Sequence, residues 1–249
     1  MIRLSPIAAG LAVGVAFASW SPTAAAVIPS AEKIADAVAA ANRTAGRSRP
    51  VLLDVTLEIG DGPTVATGQL ATHPTGLARL ELRSRRGFIE RHLLQGSYHL
   101  ASRDGEMIDS PRHFLPPVFL LQAISGAALS AALASFGIAP EEAVLGRVGD
   151  FDCYVLGGRL PPAAEKQKRV FPSMWIDLES YDVVRIDGRD GVRYRFGPTQ
   201  DFDGIRVPRW VAIEAPGEPE ARLDIVGAAT ANAPAAAFGR DWLRALSAP

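Results

Sequence analysis

Residues 118–138 read VFLLQAISGAALSAALASFGI, without one charged side chain. A charge-free run of about 18 or more residues is long enough to cross a bilayer. Here Gln122, Ser125, Gly126, Ser130 and Ser135 interrupt it, and alanine supplies much of the rest. Pro116 and Pro117 precede it and Pro140 follows, the boundaries of a helix that starts and stops abruptly. Phe119, Ala123, Gly126, Ser130, Leu133 and Gly137 recur at steps of three and four, as do Leu120, Ile124, Ala127, Ala131 and Ala134. A helix apolar on nearly every face is expected to be buried on nearly every face. Two roles fit it: a core helix packed on a sheet, or one whose face partly lines a pocket for an apolar ligand.

Outward from this segment, the period of the apolar residues changes from helical to two. In 51–59, Val51, Leu53, Val55, Leu57 and Ile59 alternate with Asp54, Thr56 and Glu58, which predicts a half-buried strand. Strands are also expected over 64–72, 77–83, 88–94 and 98–101, with turns at Asp61-Gly62-Pro63, Gly96 and Asp104-Gly105. After the apolar segment, 149–157 returns to strand and 161–168 forms a polar, basic loop. A second meander follows over 174–178, 182–186, 192–196, 207–214 and 221–226. Short-looped alternating segments imply antiparallel pairing with one dry face. A leading helix starts at Ser30, with Pro29 before it and Glu32 in its first turn, and a short amphipathic helix with Trp242 is expected over 238–246.

The first 26 residues carry Arg3, an apolar stretch over 7–17 and the small residues Thr23-Ala24-Ala25-Ala26, a secretory leader expected to be cut after Ala26. No cysteine stands near that junction, so no lipidation is expected, and the product is read as an exported, periplasmic protein. Removal leaves 223 of the 249 residues, enough for a core that buries roughly 70% of the unfolded surface without a staple. Cys153 is the single cysteine, which excludes an internal disulfide. Loss of Arg3 leaves 25 of 26 basic side chains against 27 acidic ones, a net of −2 that points to no nucleic-acid partner.

Signals of chemistry are sparse. No nucleophile elbow, zinc-protease helix motif or phosphate-cradling glycine loop is present. The four histidines, His73, His92, His99 and His113, have no metal-ligand spacing and read as separate side chains on a wet face, so neither metal nor cofactor is expected. Asp201-Phe-Asp203-Gly204 lacks the other positions of a calcium loop and reads as a hairpin turn. Cys153 reads as a small buried hydrophobe. The clusters Arg83-Ser-Arg85-Arg86 and Lys166-Gln-Lys168-Arg169 read as solvated turns, or as contacts for a lipid head group or an acidic partner.

The second meander carries a resemblance. Trp175-Ile-Asp177-Leu-Glu179, Val184-Arg185-Ile186, Tyr194-Arg-Phe196, Asp203-Gly204-Ile205-Arg-Val-Pro208 and Leu223-Asp-Ile225 resemble the C-terminal half of the LolA/LolB-like periplasmic lipoprotein carriers. That group includes mycobacterial lipid-binding lipoproteins and the RseB sensor domain. The chain departs from it in its Pro-rich approach over 111–117 and in lacking a lipobox. The resemblance implies a mainly β (α+β) fold, a strongly curved antiparallel sheet forming an unclosed half-barrel, with helices covering the concave side. It also implies a non-enzymatic carrier, expected to be a monomer, that holds a lipid or an acylated lipoprotein between sheet and helix.

Phe119, Leu120, Ile124, Leu129, Leu133 and Phe136 are the helix residues expected to meet such a ligand, and Trp175 and Trp210 are the sheet candidates. Each could instead be plain core, which is the simpler reading for any one of them. An RseB-type sensor gripping an envelope membrane protein is the first alternative. A hydrolase of apolar esters is the second, and needs a nucleophile, base and orienting acid converging in space, which Ser110, His113 and Asp109 cannot supply from adjacent loop positions without help.

Overall fold

The computed structural model describes residues 28–41, 49–157 and 171–245. The expected leader, the basic loop over 161–168 and the cluster at Lys166 to Arg169 lie outside them. A first helix, α1 (Ala31–Ala41), leads into β1 (Val51–Ile59), β2 (Ala66–His73), β3 (Leu77–Ser84), β4 (Ile89–Gln95), β5 (Tyr98–Arg103) and the short β6 (Glu106–Met107). A stretch without regular secondary structure over 111–117 and a 3₁₀ turn, Val118–Gln122, then lead to α2 (Gly126–Phe136). The second half contains β7 (Ala143–Val148), β8 (Phe151–Gly157), β9 (Ser173–Asp177), β10 (Val183–Asp187), β11 (Arg193–Phe196), β12 (Thr199–Phe202), β13 (Ile205–Pro208), β14 (Trp210–Glu214) and β15 (Ala221–Thr230).

Among the described residues, thirteen strands form one sheet in the order β6-β5-β4-β3-β2-β1-β15-β14-β11-β10-β9-β8-β7. Every neighbouring pair is antiparallel, and β1 against β15 joins the two meanders. The sheet does not close on itself, leaving a half-barrel as expected. β12 and β13 form a separate hairpin. Curvature has a local cause at Gly68 in β2, where a Cβ would stand 1.9 Å from the Glu81 carbonyl oxygen on β3. A strand glycine of this kind lets two backbones close up where the sheet bends.

The alternation read in β1 holds. Val51, Leu53, Val55 and Leu57 are at most 2% exposed and share one core with α1, the 3₁₀ turn and α2 on the concave face. Ser30 caps α1 as expected, accepting the Lys33 amide at 3.4 Å.

Residues 118–138 are two pieces rather than one helix. Ser125, in extended backbone, caps α2 by accepting the Ala128 amide at 3.2 Å, which stops the 3₁₀ turn from running on. The Gly126 amide donates to Asp36 Oδ1 of α1 at 3.0 Å, and a Cβ there would lie 2.3 Å from the same oxygen. Glycine therefore fixes how closely the two helices meet. Gly137, at φ 89°, closes α2 in the left-handed conformation. Nor is α2 buried all round: Gly126, Leu129, Leu133 and Phe136 face the core, while Ala127, Ala131 and Ala134 are exposed. Alanine needs no shelter, so uniform apolarity misstated the buried arc.

The convex face is covered separately. The tail forms a 3₁₀ turn, Ala235–Phe238, and one helical turn, Asp241–Arg244, in place of the continuous helix expected over 238–246. Phe238 and Leu243, both fully buried, pack there on Ala71 and Leu93. Arg79 lies 5.3 Å from the Phe238 ring and 5.1 Å from the Trp242 ring, and Ser102 Oγ donates to the Leu243 carbonyl at 2.6 Å.

Candidate functional site

The stretch over 111–117 runs as a strap along the concave face. Its Phe114 is 5% exposed and belongs to the main core. Arg112 and Phe114 border a hollow of about 460 Å³, and His113 borders another of about 210 Å³. The first falls within the roughly 300–1,000 Å³ usual for ligand sites. Its floor is Leu57, Ala66, Leu82 and Phe114, all buried, with Ile59, Val65 and Phe88 half-buried above them. Arg85, Arg86 and Arg103, all exposed, and the half-buried Arg112 stand round its mouth with the buried Glu90. The cavity thus grades from apolar depth to basic rim.

The residues singled out in the sequence are placed differently. Phe119, Leu120, Leu129 and Leu133 are at most 1% exposed and are packed core. Phe136 is 6% exposed and borders the smaller hollow with His99, His113 and Tyr194. Ile124 is 54% exposed in the break between the 3₁₀ turn and α2, so it does not lie between sheet and helix.

Both tryptophans lie on the convex face, because strand parity puts them there. Trp175 stands between Met174 and Ile176, which face the main core, and packs instead with Cys153 and Val155. Trp210 precedes the core-facing Val211 and lies 5.1 Å under the Arg222 guanidinium. Trp210 also borders a wider groove of about 980 Å³ among the turns of the second half. There Asp182 is already engaged by Arg206 at 2.9 Å and Thr199 at 3.1 Å, and Asp177 by the Ser180 amide at 2.7 Å.

Three of the four histidines, His92, His99 and His113, are neither separate nor wet, while His73 stays apart, bonded to Thr75 of its own turn. The turn at Gly96 folds β5 back on β4, so His92 Nδ1 meets His99 Nε2 at 3.0 Å, although seven residues separate them. His92 Nε2 meets Glu90 Oε1 at 3.0 Å, and Arg103 donates to Glu90 Oε2 at 2.9 Å. His113 lies tilted beside His99, 5.4 Å between ring centroids, and 3.7 Å from Asp190 Oδ2. One proton arrangement satisfies the chain: His92 donates to the Glu90 carboxylate and accepts from His99. Among the described residues, no group of three or more His, Cys, Asp or Glu side chains has the geometry of a metal site. Ser110 and Asp109, both exposed, make no hydrogen bond to His113 among the described residues.

Burial, reinforced by the neighbouring His92 and His113 rings and opposed by Glu90, holds His99 down at about 3. An exposed histidine titrates near 6.5, so as pH falls the unfolded chain takes up this proton before the folded one. Stability from this group is complete above about pH 6.5 and is lost as pH drops toward 3, by up to about 1.4 kcal/mol per pH unit. Urea melts at pH 7.0, 5.5 and 4.5 should show that decline, and His99→Gln should flatten it. An unchanged slope in the variant would assign the acid sensitivity to other groups.

Two solved structures share this architecture. A LolA superfamily protein from Nitrosomonas europaea superposes with a TM-score of 0.53 at 13% identity, over 87% of this chain and 100% of that one. The fold is LolA-like. A domain described as an outer membrane lipoprotein-sorting protein, from Vibrio parahaemolyticus, gives a TM-score of 0.50 at 11% identity, over 86% of this chain and 100% of that one. No protein-family model matches the sequence, and no curated protein does. Among the described residues, no helix of this LolA-like chain is long and apolar enough to cross a membrane.

Proposed function

We propose that this protein is a periplasmic carrier or binding protein that holds an acyl chain on the concave face of its half-barrel, beneath the 111–117 strap. The observation that carries the reading is the 460 Å³ hollow, whose floor joins Leu57 of β1, Ala66 of β2, Leu82 of β3 and Phe114 of the strap. Each methylene moved there from water contributes about 0.8 kcal/mol, so a chain binds without a polar code. The strap interrupts the regular cover of strands and helices, and Phe114 is the buried side chain it contributes to the floor. The LolA-like fold supports this use of an open, helix-covered sheet, since the Vibrio domain is described as a lipoprotein-sorting protein.

In this reading the ligand lies beside Phe114 and Leu82 rather than along Phe119 and Leu133, which are already packed. Delipidated protein titrated with a dansylated fatty acid should bind it saturably, with an emission rise and a blue shift. Ala66→Trp, which fills the floor, should weaken binding at least about tenfold, since an occupied site excludes the chain. Binding unchanged by that substitution would place the acyl site elsewhere, and no binding by the parent protein would sink the reading.

A further inference from the structure

The basic turn at Arg85 and Arg86, solvated in the plainest reading, stands at the mouth of the 460 Å³ hollow. The turn is well fixed: the Arg85 amide donates to the Val65 carbonyl of the β1–β2 connection at 3.1 Å, and the Arg86 amide to Ser84 Oγ at 3.1 Å. Neither guanidinium has an ion-pair partner among the described residues. Arg112 approaches from the strap. Its Nε donates to Glu218 at 3.1 Å and its guanidinium stacks 4.6 Å from the Phe114 ring, but its Nη2 is buried with no hydrogen-bond partner. Arg103 differs, because Glu90 already engages it at 2.9 Å.

Glu90 is the one carboxylate among the residues lining this hollow, against four arginines, in a chain whose formal net charge is −1. The excess is therefore local to the mouth. An unmade donor beside an apolar cavity is costly unless a ligand supplies the acceptor. Planar guanidinium groups match carboxylate and phosphate oxygens in a way that hydroxyl or choline heads do not.

We infer that the ligand is an anionic amphiphile, its tail on the Leu57–Leu82–Phe114 floor and its carboxylate or phosphate head held by Arg112 with Arg85 and Arg86. This deepens the acyl-chain reading and rests on it. The head's charge-assisted bonds select the ligand, while the tail supplies most of the affinity.

Displacement of the dansylated fatty acid from the delipidated full chain separates the two layers. Dodecanoate and dodecyl phosphate should compete at least about tenfold better than dodecanol, whose tail is the same length. Arg112→Gln, and separately the double variant Arg85→Gln/Arg86→Gln, should bring that preference below about threefold. The double variant changes exposed side chains only, so it keeps the test valid if Arg112→Gln folds poorly. Equal competition by all three compounds would overturn the head-group inference and leave the acyl reading standing. Failure of all three would overturn both. Displacement by inorganic phosphate alone at a similar concentration would reassign the arginines to a free-anion site and overturn the inference.

Discussion

Phe119→Ala should lower the free energy of unfolding by about 3–5 kcal/mol, the range for truncating a buried aromatic ring. Phe119 is 1% exposed and meets Phe136 edge-on at 6.3 Å between centroids. Its ring also faces the turn at Gly76, where a Cβ would lie 3.9 Å from it. These contacts come from the 3₁₀ turn, α2 and the β2–β3 turn, so no single neighbour can collapse into the space. The result discriminates between two roles for the apolar segment. A side chain lining an existing hollow loses less on truncation, because its removal adds little new cavity surface. Ile124→Ala, at a position 54% exposed, serves as the contrast and should stay within about 0.5 kcal/mol of the parent. Urea denaturation followed by fluorescence gives both values. A loss below about 1 kcal/mol for Phe119→Ala would return this residue to the ligand face.

Asp187→Ala should cost a similar amount, about 3–5 kcal/mol, for a different reason. The Asp187 side chain is 3% exposed and is shared by three strands. From β9 it accepts the Trp175 indole at 3.1 Å and Ser173 Oγ at 3.3 Å. Within β10 it accepts Arg185 Nε at 2.8 Å, and from β11 it accepts Arg193 Nε at 3.1 Å. Removing the carboxylate leaves the Trp175 indole with Ser173 Oγ alone, at 3.1 Å, and leaves two guanidinium groups to find other acceptors. Asp187→Asn retains one acceptor and should fall between the parent and the alanine variant. Indistinguishable melts for parent and Asp187→Ala would show that Arg193, which also pairs with Glu214 at 3.1 Å, holds the strands without it.

The strands that bury one face were readable from alternation alone, and β1 matches its expected bounds of 51–59. β7 was missed because Ala143 to Val148 buries neither face fully, being an edge strand with Gly146 against the Trp175 ring. The expected strand over 207–214 crosses a real boundary: Ile205–Pro208 pairs with β12, and Trp210–Glu214 enters the main sheet. Continuous apolarity on both sides of Pro208 and Arg209 conceals that break. Ser125 and Gly126 mark the division of the central segment, but as two small residues in an alanine-rich run they carry little periodic signal.

The site was harder to read than the fold. Leu57, Leu82 and Phe114 meet only after two meander turns and the strap, a convergence that no local pattern encodes. The tryptophans misled because Ser173 to Ile176 is buried on both faces, so polarity does not reveal which way Trp175 points. The histidine pair depended on hairpin register, with Leu94 opposite His99 and His92 two residues further along. The Pro-rich stretch over 111–117 was the visible clue, as the one departure from the family pattern that lies in the described residues.

The most direct test of the central claim is calorimetric titration of the delipidated protein with saturated fatty acids of increasing length. Affinity should rise by about fourfold per added methylene, the equivalent of 0.8 kcal/mol, and level off when the cavity under the strap is full. Affinity that does not change with chain length, or no binding at any length, would contradict it.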